Sequence, residues 1–133
     1  MSTFEPRASH CAGPPQYLNG GILAAILDCH CVCTATAAAY RAERRPIGSD
    51  PHIWYVTAKL EVSYLRPTPI AKPVELVATI AEFGPKQTVL SCSAMSGGVE
   101  CARAEVTAVR VPAEWFEGRR SDAPDTVREA RDV

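Results

Sequence analysis

Two hydrophobic periodicities divide the chain. From Gly20 to Tyr40 apolar residues occur on every side of a 3.6-residue turn; the stretch carries one carboxylate, Asp28, and no Lys or Arg. Such a stretch predicts a helix with no polar face, which has to be wrapped by other elements. Asn19 is a good N-cap before Gly20 and Gly21, and Pro46, Gly48 and Pro51 stop the helix soon after Ala42. Beyond that point the period changes from 3.6 to 2. Between Ile53 and Leu65 the residues Trp54, Val56, Ala58, Leu60, Val62 and Tyr64 alternate with Thr57, Lys59, Glu61 and Ser63, predicting a strand whose first set is buried. Pro73–Phe83 is a second strand, with Val74, Leu76, Ala78 and Ile80 inward. Gly84-Pro85-Lys86 turns the chain into Gln87–Met95. Ser96-Gly97-Gly98 is a hairpin signal that leads to a last strand over Val99–Val111, with Ala102, Ala104, Val106 and Ala108 on one face.

Consecutive, hairpin-linked strands after one long helix predict an α+β fold rather than α/β. The FEPRASH segment is placed as a short first strand at an edge, because Pro6 lacks a backbone donor, and Gly13-Pro14-Pro15 makes a turn before the helix. Small residues dominate the inward face of the last strand and recur along the helix, so the sheet can curl closely around it. Residues 1–112 read as one domain and 113–133 as a charged tail without periodicity. A single curled sheet leaves strand edges and the far side of the helix uncovered, and a symmetric homodimer, or a dimer of dimers, is the simplest remedy.

Composition narrows the function classes. Fourteen Lys and Arg against fifteen Asp and Glu give no electrostatic case for nucleic acid or an anionic membrane. The helix is nearly long enough to span a bilayer, but Asp28 and His30 near its middle argue for a buried helix of a soluble protein. MSTFEPRASH lacks the apolar core of a signal peptide. Three of the six cysteines crowd into this helix, unlike a secreted disulfide framework. They read as reduced, small, buried residues of a cytoplasmic protein.

The candidate chemistry lies on the same helix. If Asn19 caps the amide of Gly21 or Ile22, the Gly20 amide is left free at the positive end of the helix dipole, where it can stabilise charge developing on a carbonyl oxygen. An ionised Asp28 in apolar surroundings needs a partner or a role; the plain alternative is an Asp tied to backbone amides or a Tyr. It lies roughly 12 Å further along the axis at 1.5 Å per residue, too far to act on a carbonyl held at its own helix start. Two helices set antiparallel in a dimer would bring Asp28 of one chain to Gly20 of the other. Cys29-His30-Cys31-Val32-Cys33 fits no usual zinc spacing; only Cys29 and Cys33 share a helix face, and packing is the simpler reading. Arg66, Lys86, Arg103 and Arg110 are scattered cations that could meet phosphates but fit a solvated surface as well.

The stretch Asn19-Gly20-Gly21-x6-Asp28 resembles the His-Gly-Gly…Asp signature of hotdog-fold acyl-CoA thioesterases of the phenylacetate-pathway and 4-hydroxybenzoyl-CoA type. The segment VTAKLEVSYLRPT is similar to that family's second strand and its Tyr-x-x-Pro ending. The resemblance spans roughly residues 13–111 in order and spacing. It implies an antiparallel sheet wrapped around one central helix, assembled into dimers or tetramers with active sites at the interface. It also implies hydrolysis of an acyl- or aroyl-CoA thioester without metal or other cofactor. By position, Asp28 matches the catalytic carboxylate, Gly20 the glycine whose amide polarises the thioester, and Thr57 the hydroxyl that orients water or carboxylate. Asn19, Gly21 and Gly13 match substrate-binding positions. Asn19 stands where His is usual, and Gly13 where many relatives place Asn or Gln. The rival from another class is a hotdog module that binds an acyl-CoA or small aromatic without turnover. A hydratase or dehydratase ranks last, for want of an Asp and His together before the helix.

Overall fold

Asn19 adopts an extended backbone and its side-chain oxygen accepts a 2.8 Å hydrogen bond from the Gly21 N–H. This cap starts helix α1, which runs over Gly20–Ala42 in a computed structural model that describes residues 1–112 and 114–117. The helix ends at Glu43, whose amide donates back to the carbonyls of Ala39 and Arg41. Leu23, Leu27, Cys31, Ala35 and Ala39 recur every fourth residue and are all buried against the sheet. Gly21, Ala25, Cys29 and Cys33, on the opposite side, are exposed in the single chain. The helix is long and apolar enough to cross a membrane. Its buried stripe nevertheless packs along the strands as a core helix does.

The sheet contains β1 (Ser2–Phe4), β2 (Tyr55–Tyr64), β3 (Val74–Phe83), β4 (Gln87–Ser96) and β5 (Val99–Arg110). They lie in the order β1-β3-β4-β5-β2, every neighbouring pair antiparallel. This is the α+β hotdog arrangement that the sequence resemblance implies. On β3, Val74 and Leu76 are buried and Ala78 and Ile80 pack against the core; on β5, Ala102, Ala104, Val106 and Ala108 are all buried, as period two predicts. A short helix α2 (Glu114–Glu117) follows, with Trp115 exposed; the rest of the expected tail lies outside the described residues.

Two expectations need correction. The first strand is Ser2–Phe4 rather than FEPRASH, and Ala8–His10 form a 3-10 turn instead. Beyond Phe4, Pro6 brings no N–H to the ladder, and the His10 amide bonds back to the Arg7 carbonyl. The second correction concerns the faces of β2. Thr57 pairs with Ala108, but Lys59 pairs with Thr107, so Ala58 is an extra residue and the strand carries a β-bulge. Opposed residues share a sheet face. Thr57, opposite buried Ala108, and Leu60, opposite buried Val106, therefore both lie on the helix side. Trp54 and Val56, expected to be buried, precede the bulge and are 52% and 45% exposed. An uninterrupted alternation in sequence conceals this switch of face.

Candidate active site

The bulge brings the Thr57 hydroxyl to the helix, where it donates a 2.5 Å hydrogen bond to Oδ1 of Asp28. Both groups are half-buried, so the carboxylate has a partner and keeps access to solvent. A residue that the sequence pattern groups with solvent-facing Lys59 and Glu61 thus reaches the one carboxylate of the central helix.

A second cluster forms at the helix start. The Asn19 side chain is occupied by the Gly21 amide, and the Asn19 amide donates to the His10 carbonyl. Among the described residues the Gly20 N–H has no acceptor, which leaves a donor at the positive end of a long helix. Tyr64, the last residue of β2, lies across this end and donates a 2.6 Å hydrogen bond from its hydroxyl to the Gly20 carbonyl. A Cβ added at Gly20 would meet the Tyr64 ring at 3.4 Å. The ring thus lies at ordinary contact distance from the helix start. Sequence reasoning missed Tyr64 as a site residue; the Tyr-x-x-Pro ending was its only local signal, and its partner lies 44 residues away.

The approach to the helix is held by backbone pairing. Leu18 N–H donates to the Thr68 carbonyl, Ile70 N–H to Gln16, and Tyr17 bridges Pro69. Between this segment and the end of β2 lies a cavity of about 510 Å³. Its lining includes Tyr17, Leu18, Gly20, Leu23, Tyr64 and Arg66. The walls are mainly apolar, and Arg66, which donates to the Glu100 carbonyl, is the cation among the lining residues. Arg103 and Arg110 are paired with Glu100 and Glu43 instead. Gly13 lies in the turn before the helix, exposed and outside the cavity lining, with no atom within 4 Å of where its Cβ would be. Among the described residues no three His, Cys, Asp or Glu side chains gather as a metal site.

The structure therefore joins Asp28 to Thr57 and Gly20 to Tyr64 as two pairs on one helix. Asn19 and Gly21 are engaged in the cap. Within one chain the two pairs stay about 12 Å apart along the axis, at 1.5 Å per residue. Each supplies half of what acyl transfer needs: a carboxylate for the water or carbonyl carbon, and an amide for the oxyanion.

No protein-family model and no curated protein matches the chain. Solved structures do. A thioesterase superfamily protein from Shewanella loihica PV-4 is 34% identical, with a TM-score of 0.65 over 84% of this chain and 82% of that one. A Bacillus halodurans protein solved with CoA is 20% identical, with a TM-score of 0.63 over 80% and 64% of the two chains. A Streptococcus mutans UA159 protein bound to acetyl-CoA is 14% identical, with a TM-score of 0.67 over 82% and 77%. The last two share the fold, whereas the first also matches in sequence over more than four fifths of both chains, and the chain belongs to the thioesterase superfamily of hotdog-fold proteins.

Proposed function

We propose that this protein hydrolyses an acyl- or aroyl-CoA thioester to the free acid and CoA, at a site completed between two chains. The observation that carries the reading is the Thr57–Asp28 hydrogen bond, which holds a carboxylate at a fixed orientation on the helix that also presents the Gly20 amide. The fold relatives solved with CoA and acetyl-CoA support a thioester of CoA as the substrate class.

In this reading the thioester carbonyl sits against the Gly20 N–H, which stabilises the oxygen as it gains negative charge. The acyl group enters the apolar cavity beside Tyr64 and Leu23. Asp28 of the other chain accepts a proton from water as it attacks, or attacks directly to give an anhydride that water then opens; in either route the acyl C–S bond breaks and CoA leaves as the thiol. Thr57 occupies one carboxylate oxygen and leaves the other for this work. A homodimer makes the geometry possible. Strand β2 is the sheet edge opposite β1, and a second copy paired antiparallel along it would cover Leu60 and Tyr64 while bringing the two helices past each other. We place this dimer, or a dimer of dimers, in the cytoplasm.

One observation favours binding without turnover as the alternative. The Asn19 side chain is spent on the helix cap and Gly13 offers none, so neither gives a polar group to the carbonyl. A thiol-release assay over a panel of acyl- and aroyl-CoA thioesters decides between the two, with Asp28→Asn run beside the wild type. Turnover that collapses in the variant supports hydrolysis. Turnover unchanged by the substitution removes Asp28 from the mechanism, and saturable binding with no thiol release moves the protein to the non-catalytic reading.

A further inference from the structure

Packing explains Cys31 in the Cys29–Cys33 run but not its neighbours. Cys31 is fully buried and its thiol is held well above its ordinary range, first by a hydrogen bond with buried Cys92 and then by burial. Cys29 and Cys33 are exposed, contrary to the sequence expectation of buried cysteines, and all six cysteines are free thiols. Four residues apart on a helix, their Cβ atoms are about 5–6 Å apart. Burial, and then the neighbouring Cys29 thiol, raises the Cys33 thiol above its ordinary range. Both line a cavity of about 380 Å³ with Phe4, Ile26, His30 and Leu76. This cavity lies at the β1–β3 side of the sheet, away from the β2 edge.

The chemistry of this pair is selective. No third metal-ligating side chain gathers with the pair among the described residues, so one chain does not by itself supply the ligands of a closed tetrahedral zinc site. A thiol raised toward its neutral form beside apolar walls disfavours a ligand that leaves two thiolates and a net charge. We propose that Cys29 and Cys33 form a dithiol site for trivalent monoorganoarsenic compounds, whose organic group occupies the apolar cavity beside the helix. With phenylarsine oxide, hydrated in water to its dihydroxy form, two As–S bonds form and two As–O bonds break. The two thiol protons leave with the hydroxyls as two waters. Arsenic stays trivalent, and the product is uncharged.

The test is intact-mass analysis of the full chain after phenylarsine oxide, with titration of the remaining accessible thiols. One adduct per chain with the loss of two thiols is expected for the wild type and for Cys11→Ser. Cys29→Ser and Cys33→Ser should each weaken binding by about 10²-fold or more, the loss of a second linked bond. Both positions are exposed, and matching circular dichroism spectra establish that the variants fold. No adduct on the wild type overturns the proposal. So does an adduct that persists in Cys29→Ser with unchanged affinity, since it places the arsenic elsewhere, for instance on Cys31 and Cys92.

Discussion

Replacing Thr57 by Val tests the central contact of the site without altering its shape. Valine fills nearly the same volume and suits a strand, but it cannot donate to Asp28. A hydrogen bond to a charged acceptor is worth about 1.5–3 kcal/mol. Both partners here are half-buried, so water can replace part of the lost interaction and the lower half of that range applies. If the bond orients the carboxylate for the reaction, about 1.5–2 kcal/mol of transition-state stabilisation is lost, equivalent to a 10- to 30-fold fall in kcat. KM should move little, because the acyl cavity does not include Thr57. The assay is continuous thiol release under saturating acyl-CoA, with Thr57→Ser as the rescuing variant, expected within about threefold of wild type (about 0.7 kcal/mol) because it restores the hydroxyl. Equal kcat in the Val and Ser variants would show that the hydrogen bond only anchors the strand, and the orientation argument would fail.

Other perturbations separate stability from chemistry. Gly20→Ala should fold normally, since the new methyl meets the Tyr64 ring at 3.4 Å, an ordinary contact, and should gain about 0.4–1 kcal/mol by restricting the unfolded chain. The same methyl crowds the approach to the Gly20 amide, so turnover should fall while the melting temperature holds or rises; loss of both together would refute this separation. The His30 imidazole is held below its ordinary pKa of 6.5, chiefly by burial and then by the charge of the nearby amino terminus. The unfolded chain therefore takes up a proton near pH 6.5 before the folded one does, so the stability associated with neutral His30 is full above that pH and is lost as the pH falls below it. Thermal melts from about pH 7.5 to 5 should fall more steeply for wild type than for His30→Gln, and parallel curves would dismiss the effect.

The helix was legible to the residue. Asn19 offered a capping oxygen, Glu43 through Pro51 offered the stop, and the absence of charge between them required enclosure. The inward faces of β3 and β5 were equally legible, because alternation there runs through the core strands; the register shift on β3 falls only after Ile80. Strand β2 misled because its alternation is continuous in sequence while its pairing is not. A bulge depends on the partner's register, and the partner β5 begins 35 residues after β2 ends, at Val99 against Tyr64. For the same reason the pairing of Asp28 with Thr57 was legible only through family resemblance. Residue pattern alone put Thr57 with the solvent-facing set. The Tyr64–Gly20 contact left no periodic trace, since it joins a strand end to a helix start through the fold alone.

Strand β2 holds the functional half of α1 at two places, by Thr57 near its beginning and by Tyr64 at its end. It is also one of the two edge strands of the sheet, with β1 at the other side. Whatever grips the β2 edge therefore clamps both fasteners at once, and a slip of one residue along it would pull Asp28 and Gly20 out of register together. Order at the carboxylate and order at the amide are mechanically a single variable. Damage to either end of β2 would be felt at both, and evolution could loosen or tighten the whole site through the outer edge alone, without changing any residue of the helix.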